Sequence, residues 1–300
     1  MGRLLSVEIK RIYFRRLVRV FVILAIAGAS LAGIIVFFQS NGDEATVRMS
    51  LELREDDVRG CLNSFPRDAD PPGESESVEE FCNEEAVPLS SYDPRFLLVE
   101  VDDVLLGTSV MLIILAWLIG ASAVGGEWHT RNMTTLLTWE PRRGRVLVAK
   151  VTAAMLTTFL ISMFLQAWLV TALVPAAAIR GSTEGVDAAW LVDIVELMAR
   201  IGLIGSLGAA MGASLAMIGR NTAAAMGAGF AYLAIVEGLI RGLKPAWQTW
   251  LIGDNAAIVI GGEGDIIPGR SITGAALLIG LYALGLALGA AALFRSRDVP

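Results

Sequence analysis

Six runs of apolar residues, at 17–38, 104–125, 146–179, 201–218, 222–243 and 272–294, are separated by polar stretches of very unequal length. A helix that crosses a bilayer takes about 20 residues, and runs of this size meet that need. The pattern predicts an all-α membrane protein of six transmembrane helices. Ahead of the first run, residues 1–16 mix Arg3, Lys10, Arg11, Arg15 and Arg16 with Leu4, Leu5, Ile9, Ile12, Tyr13 and Phe14. That is the make-up of an interfacial helix lying in the headgroup plane; a plain basic flank of the first span is the alternative. Ala25, Ile26 and Ala27 offer the small residues of a signal-peptide cleavage site, but apolar sequence continues to Phe38, so the run is expected to stay as the first span.

Composition supports the membrane class. With 55% hydrophobic residues and a mean hydropathy of +0.61, the chain has too little polar surface for a soluble domain. The formal net charge of −6 is unevenly spread. Residues 1–39 set six basic groups against Glu8, residues 40–103 hold eighteen acidic groups against five basic ones, and residues 104–300 sum to +2. Short basic flanks and loops stay on the cytoplasmic side. The 126–145 loop and both termini are therefore expected in the cytosol of a multi-pass cell-membrane protein, with residues 39–103 as an acidic extracellular insert. Arg241, Lys244 and Arg270 fall on the outer side of this topology and strain it mildly. Acid gathered in one block also argues against a nucleic-acid partner, which needs an exposed basic face.

The insert carries the only cysteines, Cys61 and Cys82. They are expected to pair, since disulfides persist outside the cell and closing a loop of this length contributes roughly 3 kcal/mol. The acidic residues lack the spacing of a calcium loop and read as a solvated surface. Ser77 to Glu80 has the form of a capping box, and Asp93-Pro94 that of an N-cap followed by a first-turn proline. Further on, the third span is expected to end near Pro175, and residues 180–200 to form an amphipathic outer segment in which Glu196 and Arg200 pair. A turn at 219–222 has Gly219 ending one helix and Asn221 capping the next. Glycines at 202, 205, 208, 212, 227, 229, 280, 285 and 289 predict close helix packing in spans four to six. Residues 244–271 are too apolar for a free loop and too broken by glycine and proline for a span. They are expected to dip in and return as an outer gate, with Trp247 and Trp250 at the interface. Glu237 and Arg241 are either a pathway-lining ion pair or an interfacial salt bridge.

Chemistry within the chain is sparse. The lysines follow Ile9, Ala149 and Leu243, so no GxxxxGK[ST] loop exists to hold ATP. His129 is the single histidine, without companions for a metal site or a catalytic triad, and reads as a surface loop residue. No enzyme activity, metal or cofactor is expected of this chain. The informative stretch is the polar loop itself. Glu127, Arg131, Thr134-Thr135-Leu136-Leu137-Thr138, Pro141-Arg142-Arg143 and Lys150 follow one another between the second and third spans.

That run resembles the first cytoplasmic loop of ABC-2-type transporter permeases, in which a short helix follows a glutamate and a proline-arginine turn leads into the next span. The basic amphipathic start, the six spans and the broken segment before the last span extend the resemblance over most of the chain; the acidic cysteine-bearing insert departs from it. The resemblance implies an ATP-driven exporter of an amphiphilic substrate. Residues 127–138 would be a coupling helix docking on a separate ABC ATPase subunit, which would hold ATP and Mg2+. Glu127, Trp128, Arg131, Met133, Leu136, Leu137, Arg142 and Arg143 would form the contact, and Glu237, Arg241, Trp247 and Trp250 the pathway or gate. A second copy of the permease, or a related one, would complete the pathway in the lipid bilayer. A different class of reading is a non-transporting anchor or sensor whose acidic outer domain binds a partner. The bland reading of the loop is a linker kept inside by its charge. A channel would need a polar stripe along one helix, and none is visible.

Overall fold

A computed structural model of the chain describes residues 2–65, 77–130, 132–262 and 267–297. Among the described residues no strand forms beyond a single parallel bridge, Leu97 to Ser182. Six helices are long and apolar enough to cross a membrane, which marks a multi-pass membrane protein. Helix α1 (Gly2–Tyr13) precedes the first of them, α2 (Arg16–Gln39). The long polar segment holds α3 (Glu44–Ser64), α4 (Val78–Glu80) with a π-helical turn at Phe81–Ala86, and α5 (Leu89–Tyr92). Then come α6 (Val101–His129), the short α7 (Asn132–Trp139), α8 (Arg143–Arg180) and α9 (Ala188–Gly219). The fifth span is α10 (Thr222–Phe230), a π-helical stretch at Ala231–Val236 and α11 (Glu237–Leu243), end to end. A 3-10 helix at Pro245–Trp250 and α12 (Ile252–Gly261) lead to α13 (Ile272–Ser296).

The chain divides into two compact units, one of Met1–Ala25, Asp102–Gln166 and Val192–Pro300, the other of Ile26–Val101 and Ala167–Leu191. In the first, α9 is the axis, buried along most of Ile201 to Met217. Small residues let its neighbours come close. A Cβ on Gly120 of α6 would lie 2.0 Å from the Ala209 carbonyl oxygen, and one on Gly212 would lie 2.6 Å from that of Trp117. Helices α6 and α9 therefore cross at backbone contact, as lipid-embedded helices do when small residues meet. Gly227, Gly280, Gly285 and Gly289, by contrast, would meet nothing within 4 Å, so these three glycines of α13 and Gly227 of α10 carry no close helix approach among the described residues.

In the second unit the disulfide Cys61–Cys82 ties α3 to the π-helical turn. Val58, Cys82 and Val87 are buried there against Phe65, Phe81 and Tyr92, and Arg54 donates to the carbonyls of Val87 and Asn83 at 3.1 and 2.8 Å. Ser77 accepts the Glu80 N–H at 3.1 Å, the N-cap half of a capping box. The remainder of the acidic run at 66–76 lies outside the described residues.

Three local expectations need correction. Asp93 is no N-cap: it accepts the backbone N–H of Arg95 and forks onto the Arg95 guanidinium, and regular helix begins only at Leu98. Pro175 does not end the third span but sits inside α8, which runs on to Arg180. The amphipathic segment from Ala188 leads into the fourth span as expected, the two forming one 32-residue helix in which Glu196 pairs with Arg200 one turn on. At the 219–222 turn Asn221 caps as expected, accepting from Ala223, but the positive φ (50°) falls on Arg220.

Candidate functional site

The segment from Gly125 to Lys150 is built at the meeting of α1, α6, α7, α8 and α10. Two glycines make the approach possible. A Cβ on Gly125 would fall 2.4 Å from the Thr222 nitrogen, and one on Gly126 would fall 2.8 Å from the Arg15 guanidinium. Arg15 fills that space and donates to the carbonyls of Ser122 at 2.5 Å and Ala123 at 2.9 Å.

Beside it lies a buried cluster of charge. Lys150 is 1% exposed, donates to Glu8 Oε2 at 2.9 Å and stands 2.5 Å from Glu127 Oε2. The second contact is an ion pair, and Glu127 Oε2 accepts no hydrogen bond among the described residues. Arg11 reaches Glu8 at 3.2 Å and Glu127 at 3.9 Å, while Arg15 comes within 3.5 Å of Glu127. Burial pushes the Arg15 guanidinium below its ordinary value, against the pull of Glu127 and Glu8. Three cations thus enclose two carboxylates and tie α1 to α6 and α8. Charges taken out of water at such cost hold only while every partner is present.

Helix α7 hangs below this cluster. Met133 is buried, and Leu136 and Leu137 pack half-buried against the core of Val124, Leu147 and Met217. Its other side is exposed at Thr135, Thr138 and Trp139, the last at 85%. Trp128 meets Phe294 edge-on at 6.1 Å and Arg220 stacks over its ring at 4.9 Å. Arg143 donates to the carbonyls of Phe294, Arg295 and Arg297 at 2.9, 3.3 and 2.6 Å, closing the end of α13, whereas Arg142 is exposed. Of the residues singled out in the loop, then, Glu127, Trp128, Met133 and Arg143 are engaged within the chain. Glu127 stands on the last turns of α6, not on the short helix. Arg131 and the side chain of His129 lie outside the described residues.

The second set of residues surrounds the far end of the fifth span. Glu237 is 1% exposed; Arg241 Nη2 donates to it at 3.0 Å and the Gly253 N–H at 2.9 Å. Arg241 also grips Asp254 at 2.7 Å. Gly253 admits the carboxylate, since a Cβ there would fall 2.5 Å from Glu237 Oε2. Asn255, fully buried, donates to the carbonyls of Thr249 and Leu251 and accepts from Arg270 at 3.0 Å. Lys244 lies over the Trp247 ring at 4.8 Å, and the Tyr282 hydroxyl donates to the Trp250 carbonyl at 3.0 Å. These contacts fasten the 3-10 helix and α12 to the spans on either side. Arg241, Lys244 and Arg270, awkward for the charge rule, each have a local partner.

Sequence reasoning missed Glu8, Arg15, Lys150, Asp254 and Trp139 as parts of these sites. For Lys150 a signal existed: one of three lysines, set in the apolar run VLVAKVTAA. Glu8 is likewise the lone acid among the first 39 residues. Among the described residues no three His, Cys, Asp or Glu side chains are grouped as metal ligands would be. No protein-family model, curated protein or solved structure matches the chain.

Proposed function

We propose that this chain is the membrane-spanning permease subunit of an ATP-driven transporter, exporting an amphiphilic substrate and coupled through α7 to a separate ATPase that binds ATP and Mg2+. In this reading the loop and both termini face the cytosol, and a second permease completes the pathway. One observation carries it. A short helix stands off the ends of the spans, buries its apolar side on its own chain and presents Trp139 at 85% exposure beside exposed Arg142. An aromatic and an arginine side by side are the residue types that dominate the energy of protein interfaces. The buried cluster of Glu8, Glu127 and Lys150 then serves transmission: a push on α7 reaches α1, α6 and α8 as one body, because their junction cannot slip without exposing buried charge.

The test is affinity purification of the tagged protein in mild detergent, with mass spectrometry and an ATPase assay of what accompanies it. A nucleotide-hydrolysing subunit is expected with wild type and lost with Trp139→Ala and Arg142→Ala, whose side chains make no hydrogen bond or ion pair among the described residues. A chain that runs alone in every detergent overturns the reading and leaves the anchor or sensor in its place. Reconstituted vesicles with the partner would then test export, and a flat response to every amphiphile offered would count against the substrate class.

A further inference from the structure

Helices α8 and α13 of the first unit enclose an open groove of about 790 Å³ whose walls and mouth differ in chemistry. The walls are apolar. Val148, Leu284 and Leu288 line it, each more than half exposed. The mouth is basic, with Arg142 just ahead of α8, Arg143 and Arg145 from its first turn and Arg295 from the end of α13. Arg143 is committed to the last carbonyls of α13. The guanidinium groups of Arg142, Arg145 and Arg295 have no hydrogen bond or ion pair among the described residues. Gly144 keeps room for one of them, since a Cβ there would come 3.1 Å from Arg295 Nη2. The amino end of α8 adds its own partial positive charge.

Three unpartnered guanidinium groups gathered at one mouth repel one another and call for an anion, and arginine matches phosphate with two parallel hydrogen bonds. Exposed valine and leucine along two membrane-length helices call for hydrocarbon. A lipid of the surrounding bilayer supplies both in one molecule. A second copy seated here about a twofold axis would instead bring the same arginines face to face, like charge against like. We propose that the groove binds one anionic glycerophospholipid, its phosphate held by Arg142, Arg145 and Arg295 and an acyl chain laid along Val148, Leu284 and Leu288. The site shares only Arg142 with the surface offered to the partner ATPase; Arg145, Arg295 and the apolar walls lie outside that contact. Its effect is to brace the junction of α8 with the end of α13 on its open side, beside the buried packing of Val146 and Leu147 with Ala290 and Phe294 and the hydrogen bonds from Arg143.

The test is native mass spectrometry of the full chain in neutral detergent, titrated with phosphatidylglycerol or with phosphatidylcholine of the same acyl chains. Wild type is expected to retain one phosphatidylglycerol in preference to phosphatidylcholine. The double variant Arg145→Ala/Arg295→Ala, which leaves Arg142 for the partner test, is expected to weaken phosphatidylglycerol by about fivefold per arginine removed and to leave phosphatidylcholine unchanged. Leu284→Ser/Leu288→Ser is expected to weaken both lipids. Equal retention of the two lipids by wild type, a comparison that needs no variant, overturns the proposal. So does unchanged phosphatidylglycerol binding in a folded arginine variant, or displacement of the lipid by inorganic phosphate, which would mark a site for the head alone. A lipid-free dimer that the arginine variant dissociates would make the groove an interface between copies and overturn it equally.

Discussion

Two buried charge clusters sit at opposite ends of the fifth span, and they are made differently. At Glu8, Glu127 and Lys150 the partners come from three helices, the pairing Glu8–Lys150 spans 142 residues of chain, and every member of that trio is at most 4% exposed. At Glu237, Arg241 and Asp254 the partners lie within 17 residues, and the shared cation keeps 41% of its side chain in the open. The first cluster holds tertiary structure together and has no water to fall back on. The second fastens a local turn, and its arginine can be resolvated if a partner is lost. Long-range charge contacts should therefore be the expensive ones to break, and local ones cheap, whatever their lengths in ångströms.

The sharpest way to break that comparison is Lys150→Met, which leaves Glu8 and Glu127 buried with the more exposed Arg11 and Arg15 as their remaining counter-charges. Loss of one partner from a buried pair costs about 3–5 kcal/mol, so the thermal midpoint in detergent should fall steeply. The double variant Glu8→Gln/Lys150→Met should lose clearly less than its two single changes added together; strict additivity would mean the cluster is not a unit. Next is Gly125→Ala, which tests the close approach that positions the cluster. With the Thr222 backbone in the way, the overpacking cost is about 1–3 kcal/mol, and a neutral result would show that α6 and α10 can part at no cost.

Arg241→Ala addresses the other cluster. Glu237 keeps the Gly253 N–H, so the loss should be about 1–3 kcal/mol, the range for a buried acceptor left short of a partner, and smaller than for Lys150→Met in the same assay. A larger loss would reverse the comparison. A still more local pair is Asp93 with Arg95. Burial pushes the Asp93 carboxyl up, but the side-chain and backbone hydrogen bonds from Arg95 outweigh it and hold the pKa below its usual 3.8. A depressed carboxyl contributes stability above its unfolded pKa and loses it as pH falls through the folded value. The thermal midpoint of wild type should therefore drop below pH 4 by more than that of Asp93→Asn; parallel curves would remove the pair from the balance. Smallest of all is Arg200→Ala, which breaks a surface pair with Glu196 one helical turn away and should cost no more than about 0.5 kcal/mol.

How much of this was legible depended on distance along the chain. The six spans, the Glu196–Arg200 and Glu237–Arg241 pairs and the Asn221 cap follow from residues near one another in sequence, where local spacing says which side chains can meet; the disulfide follows from the only two cysteines sharing the outer insert. Asp254 escaped because it joins that pair across a chain reversal, and Trp139 because an aromatic at the end of a short helix looks like core until the helix is packed. The loop at Gly125 to Lys150 was recognised as the segment to examine, yet Glu127 was expected on an outward face and is buried instead. Nothing local distinguishes the two, since the groups that bury it are Lys150 and the arginines of α1.

By itself, then, the amino-acid sequence determined the membrane class, the number of apolar helices and the placing of charge along the chain, because hydrophobic length and composition are properties of contiguous residues; the short helix between the second and third spans was implied by the family resemblance and lies at Asn132–Trp139. Tertiary structure alone decided which charges are buried together, which glycines carry a crossing, which arginines around the groove between α8 and α13 have no partner among the described residues, and which face of α7 is exposed. Those depend on which surfaces distant helices remove from solvent, and desolvation has no value for a side chain until its neighbours are in place.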